Sequence, residues 1–272
     1  MPQRIAIVSQ KGGVGKTTVS LNLALALAER RRRTLLVDLD PQGGLGHSLN
    51  KGDDALVGLT DLLMGRATPA QAVTRTRLEG LALLPRGRIS PVDISELEDA
   101  LRAPGVLAAT LAKVETGFDV VLMDTPSGLG RITRAALAAS DFTLVPVQGE
   151  PLAMRSIGQT LEVLEHVRAT ENPRLELLGI LPTMVQKSAE ASMSVLVDLW
   201  SGFGGVFETT IPRADVFAAA SKTGLPVGYL GGPPSPEVRR FELLATEIDQ
   251  ALVKRSKGTE ADGAVQPRRE LI

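Results

Sequence analysis

The chain of 272 residues is 43% hydrophobic but only 3% aromatic, sets 30 basic against 31 acidic side chains, and has no cysteine. A net charge of −1 argues against wholesale polyanion binding, though not against a local basic patch. Without thiols there is no disulfide framework, thiolate zinc site, cysteine-ligated iron–sulfur cluster or cysteine nucleophile.

The chain opens with Met1-Pro2-Gln3-Arg4 and a strand predicted over 5–9, whose apolar run is too short for a signal-peptide core. A helix follows over 16–29, then strands over 34–38 and 81–84 and a helix over 94–115. Next come a strand over 120–124, a helix over 131–139, a strand over 142–147 and a helix over 152–169. The pattern continues with a strand over 177–181, a helix over 189–200 and a strand over 206–210. The last helix, 236–253, opens with Ser235 as N-cap and Pro236 at its first position. The strands are short and apolar on both faces, as in a parallel sheet covered by helices. The alternation predicts an α/β fold: a single doubly wound, mostly parallel sheet with right-handed crossovers. No stretch reaches the ~18 unbroken apolar residues of a membrane helix, and the reading is a soluble cytoplasmic protein. One domain is expected over 1–254, and a disordered polar tail over 255–272.

Between the first strand and helix lies Ser9-Gln10-Lys11-Gly12-Gly13-Val14-Gly15-Lys16-Thr17-Thr18. Glycines let backbone N–H groups wrap a triphosphate, and the helix N-terminus adds its positive dipole end. Lys16 would reach the β- and γ-phosphates, and Thr17 would hold Mg²⁺ through its hydroxyl. The general template requires glycine five residues before Gly15, where this chain has Gln10; it has a second lysine, Lys11, instead. Two further strands end in carboxylates at Asp38, Asp40 and Asp124. Strand C-terminal ends are where ligands bind in such sheets. Asp40 is read as holding the attacking water, Asp124 as facing the metal, and Asp38 as supporting either the Mg²⁺ shell or the loop.

The run Lys11-Gly12-Gly13-Val14-Gly15-Lys16-Thr17 resembles the deviant Walker A motif of the ParA/MinD family of P-loop ATPases. Asp40-Pro41-Gln42-Gly43, Asp124-Thr125-Pro126, Pro146-Val147-Gln148-Gly149-Glu150 and Ile211-Pro212-Arg213 extend the likeness, which points to the Soj-like ParA branch. The resemblance implies ATP and Mg²⁺ as cofactors, with catalysis by Lys11, Lys16 and Asp40. It implies nucleotide binding by Lys11 to Thr18, Val14 included, with Pro212 near the adenine, and metal holding by Thr17, Asp124 and Asp38. It gives Thr125-Pro126-Ser127-Gly128 the role of a second switch, and it sends Lys11 across an ATP-dependent homodimer to the partner's nucleotide.

The same likeness implies slow hydrolysis stimulated by a ParB-like or other partner, and non-specific DNA binding on the nucleoid. Arg155, Lys187, Arg213 and Lys222 are the candidate DNA contacts. The phosphate loop begins at residue 9, so no preceding helix-turn-helix domain is expected. Two departures stand out. Gly44 replaces the family's usual asparagine, which predicts a more mobile loop, and Ala214-Asp215-Val216-Phe217-Ala218 replaces an Arg- and Glu-containing run. The alternatives are a MinD-like or flagellar-number regulator working at a membrane or protein scaffold, and a metabolic ligase or amidase. The tail offers almost no apolar face for a membrane. His47 and His166 read as surface or structural residues, and Arg30 to Arg33 as cations at a helix C-terminus.

Overall fold

The computed structural model describes residues 1–47, 56–89, 94–233 and 235–256; the side chains of His47 and Ser256, and the tail from 257, lie outside the description. In chain order the elements are β1 (Gln3–Ile7), α1 (Lys16–Glu29), β2 (Thr34–Asp38), α2 (Gly44–His47), α3 (Leu59–Leu63), α4 (Pro69–Ala72), β3 (Thr74–Arg75) and β4 (Leu81–Leu84). Then follow α5 (Ile94–Ala100), α6 (Val106–Ala112), β5 (Val120–Asp124), α7 (Arg131–Ala138), β6 (Phe142–Gln148) and α8 (Ala153–Thr170). The chain finishes with β7 (Glu176–Thr183), α9 (Glu190–Gly202), α10 (Asp215–Thr223), a 3-10 turn (Val227–Tyr229) and α11 (Pro236–Ser256). The sheet runs β3-β4-β2-β5-β1-β6-β7, parallel except for the antiparallel β3–β4 pair.

Alternation along each strand sorts the core into two layers. Ile5, Ile7, Leu36 and Leu122 pack with Val19, Leu23 and Leu27 of α1 and Phe241, Leu244 and Ile248 of α11. Ala6, Leu35, Val37, Val121 and Met123 pack on the other face with Leu107, Leu111, Ile132, Ala136, Ile157 and Leu164. Each such aliphatic side chain stabilises the fold by about 1.5–3 kcal/mol. Pro146 is tolerated inside β6 because pairing to β1 ends at Leu144, so its missing N–H costs no bond on that side.

Three expectations change. The segment 206–210 is not a strand: only Val206 bridges Ile180, and the N–H groups of Glu208 and Thr209 donate to the Glu247 carboxylate on α11. That carboxylate draws the chain off the sheet edge. The helix expected over 94–115 breaks into α5 and α6 at Pro104-Gly105, where Gly105 has φ +76°. The last helix runs past 254, because Arg255 pairs with Glu176 at 3.1 Å and donates to the Leu177 carbonyl at 2.8 Å. The arginine run that follows the C-terminus of α1 also pairs with distant carboxylates. Arg30 and Arg32 reach Asp249 of α11 at 3.2 and 3.4 Å, and Arg33 reaches Asp119 at 2.8 Å.

Strand register decides where chemistry can sit. Ile7, Asp38 and Asp124 stand level at the C-terminal ends of β1, β2 and β5. The loops that follow these three strands therefore share one edge of the sheet.

Candidate active site

The loop from β1 to α1 needs glycine for geometric reasons. Gly13 and Gly15 hold φ +75° and +88°, where a side chain would be strained. A Cβ on Gly12 would meet Ser127 Oγ at 3.2 Å. Val14 is buried, and its carbonyl accepts from Thr183 Oγ1 of β7 at 2.9 Å. The Thr18 carbonyl accepts from Asn22 Nδ2 at 2.8 Å. Lys16 is only 6% exposed, and its Nζ donates to Ser127 Oγ at 3.3 Å, which ties the loop to the segment after β5. Burial pushes the Lys16 pKa down, while Asp124 and then Asp40 pull it back up.

Asp124 is fully buried. Its Oδ1 accepts from Ser20 Oγ at 2.9 Å, whereas Oδ2 has no hydrogen-bond partner of full geometry. Burial raises its pKa from 3.8 to about 6, against the opposing pull of the Thr17 and Ser20 hydroxyls and Lys16. An orphaned buried carboxylate oxygen beside a threonine fits a divalent cation, since a buried anion without compensation is costly. Among the described residues no cluster of three or more His, Cys, Asp or Glu is set to hold a metal alone. Mg²⁺ at this place would therefore rely on Thr17, Asp124 and the oxygens of a nucleotide.

The raised pKa gives a stability prediction. Protonation of Asp124 favours the apo fold, a contribution fully present below about 3.8 and lost as pH rises through about 6. Asp124→Asn should therefore raise the apo melting temperature at about pH 7.5 and shrink its change between about pH 5 and 7.5. A lower melting temperature than wild type at the higher pH would contradict this.

Asp38, expected to support either the Mg²⁺ shell or the loop, has direct hydrogen bonds to the loop. It is 1% exposed, and its two oxygens accept the N–H groups of Asp40 at 2.9 Å and Leu45 at 3.3 Å. Asp40 in turn accepts from Gln42 N at 2.9 Å through Oδ1, and Gly43 N closes the turn on the Asp40 carbonyl at 2.9 Å. Among the described residues Asp40 Oδ2 accepts no hydrogen bond, so it is free to hold water. These hydrogen bonds tie the loop at Asp38, Asp40 and Gly43. Gly44 permits close approach, since a Cβ there would lie 3.1 Å from Thr17 Oγ1.

Lys11 does not point into this cradle. It is 43% exposed, and its Nζ pairs with Glu150 and lies 3.4 Å from Gln148 Oε1, both at the end of β6. The cavity beside it, lined by Val147, Gln148 and Glu150, holds only about 10 Å³. Arg155 is exposed and lines a shallow groove with Lys11. Pro212 is half-buried and bridges Val185; Arg213 N donates to the Val185 carbonyl at 3.1 Å, two residues before the exposed Lys187. Lys222 is exposed in the last turn of α10. His166 is exposed beside Arg134.

Two residues absent from the sequence reading complete the surroundings. Met184 takes φ +51°, and its Cε would lie 3.9 Å from a Cβ on Gly15. Asn22 Oδ1 accepts from Val227 N at 3.2 Å and fastens the 221–227 segment to α1.

A family model described as an AAA domain matches residues 2–177. The chain is 40% identical over 247 residues to the chromosome-partitioning ATPase Soj of Thermus thermophilus, spanning 90% of this chain and 95% of Soj. A solved structure described as cobyrinic acid a,c-diamide synthase from Mycobacterium smegmatis with bound ADP and magnesium matches with a TM-score of 0.76 and 35% identity, covering 95% of this chain and 96% of the other. The cell division ATPase MinD of Pyrococcus furiosus matches with a TM-score of 0.73 and 27% identity, covering 92% and 99%.

Proposed function

The chain belongs to the ParA/MinD family of P-loop ATPases, among the Soj-like partition ATPases, and from that premise we propose how its residues drive the cycle. It is an ATPase that works with ATP and Mg²⁺. In our reading ATP joins two copies face to face, and Lys11 of each reaches the phosphates held by the other. The dimer then binds duplex DNA without sequence preference through Arg155, Lys187, Arg213 and Lys222. A ParB-like partner stimulates hydrolysis and ends the cycle.

Within one site, Lys16 and the loop N–H groups take the β- and γ-phosphates, and Ser127 senses the γ-phosphate through its contact with Lys16. Asp40 orients the attacking water with Oδ2 and receives its proton. Thr17 and Asp124 would hold Mg²⁺, which when bound offsets phosphate charge. Intrinsic turnover is slow because the partner supplies what is missing; an arginine finger alone can be worth ~10³ or more in rate.

The observation that carries this reading is Lys11. The ordinary phosphate loop does not need it, and it stands on the open face bound to Gln148 and Glu150. An exposed pair of this kind contributes at most about 1 kcal/mol, so a triphosphate displaces it readily. Lys11→Ala should bind ATP within a few-fold of wild type yet stay monomeric. Light scattering behind size exclusion, with ATP present, checks this, and a stable dimer of the variant would refute the cross-subunit role.

A second reading, an ATP-dependent ligase or amidase, has support from the name of the M. smegmatis structure. Rapid ATP turnover without DNA or protein partner would favour it. No described helix is long and apolar enough to cross a membrane.

A further inference from the structure

Arg86 lies just beyond β4, the strand paired with β2, and is only 8% exposed. Its main chain is held firmly. The Arg86 carbonyl accepts both Thr60 N at 2.9 Å and Thr60 Oγ1 at 2.8 Å from α3, and the preceding Pro85 carbonyl accepts Leu59 N at 2.8 Å. Asp61, 1% exposed, accepts Gly58 N and Arg88 N, each at 3.1 Å, and closes the clamp. From this fixed base the guanidinium donates through Nη1 to the carbonyl of Pro41.

That carbonyl belongs to the Pro41–Gln42 peptide, whose N–H donates to Asp40 Oδ1 at 2.9 Å. A peptide unit is planar, so its oxygen and its N–H turn together. Holding Pro41 O therefore holds the Gln42 N–H, and that N–H sets the rotation of the Asp40 carboxylate. We propose that Arg86 is a positioning residue for hydrolysis: through this one peptide it fixes Asp40 with Oδ1 engaged and Oδ2 turned to the water. It touches neither phosphate nor water itself. The inference rests on reading Asp40 as the water-orienting group.

The test compares Arg86→Met, which removes the donor but keeps an unbranched buried chain, with wild type and with Asp40→Ala. A misplacement near 1 Å at a reacting group can cost ~10² in rate, so kcat of the Met variant should fall at least about tenfold. KM for ATP, and the Kd of a non-hydrolysable ATP analogue, should stay within about twofold, because Arg86 has no part in binding phosphate. A kcat within about twofold of wild type, or an affinity loss that matches the rate loss, would overturn the proposal. If the Met variant does not fold, Arg86→Lys decides by the same two criteria, with a smaller loss of kcat expected. Asp40→Ala separates the two ideas. Retained hydrolysis there would remove the reading of Asp40 and the proposal with it. Hydrolysis lost in Asp40→Ala but kept in Arg86→Met would overturn the role of Arg86 alone.

Discussion

Replacing Lys16 with alanine should cut ATP affinity by ~100-fold or more. Hydrogen bonds to charged groups are worth about 1.5–3 kcal/mol each, and losing one to each of two phosphates exceeds the ~2.8 kcal/mol that two decades require. The structure adds a reason for the loss to be large. The ammonium is buried and already faces Asp124 and Asp40, so its charge is held where a triphosphate would meet it at little further desolvation cost. Without it, two carboxylates would confront the phosphates uncompensated. Titration with a fluorescent ATP analogue checks this, and unchanged affinity would refute the assignment.

The parts of the molecule legible in the sequence were those whose cause is local. The helix at 16–29 and the strands at 34–38, 81–84 and 120–124 have the bounds expected from their apolar runs and flanking breakers. The phosphate loop was legible because glycine, lysine and threonine must stand at fixed spacing between a strand and a helix. Features with distant causes were not. Thr74-Arg75 has no apolar run and forms a strand only because β4 lies beside it. The segment 206–210 looked like a strand, but the Glu247 carboxylate that takes its N–H groups stands on α11. The split between α5 and α6 does have a local cause, Pro104-Gly105, set within an otherwise helical run.

Within the site the same division holds. Asp124 could be picked out at the end of an apolar strand and Asp40 two residues beyond the end of another. The hydrogen bonds of Asp38 to Asp40 N and Leu45 N depend on how the loop after β2 folds back. Ser20, Met184 and Arg86 carry no local signature. Their partners are 104 residues away for Ser20 and 45 for Arg86, and only folding brings them to the catalytic edge.

Asp40→Ala carries the other large effect. Lys16, Thr17 and the loop glycines remain, so ATP should bind close to wild type. Water loses its orienting carboxylate, so hydrolysis should drop by ~10² or more, since a positioned general base typically contributes about 10²–10⁴-fold. The ATP dimer should then persist instead of decaying. If dimerisation gathers the basic side chains of two subunits, the trapped variant should stay on duplex DNA longer than wild type. Binding should need no particular sequence, and it should fall steeply with salt as phosphate contacts release counterions.

Co-sedimentation of ATP-loaded Asp40→Ala, run side by side with duplex DNA of unrelated sequences and with anionic liposomes, tests the central claim most directly. The account predicts salt-sensitive pelleting with every DNA and none with liposomes. Pelleting with liposomes and not with DNA, or with neither, would contradict it.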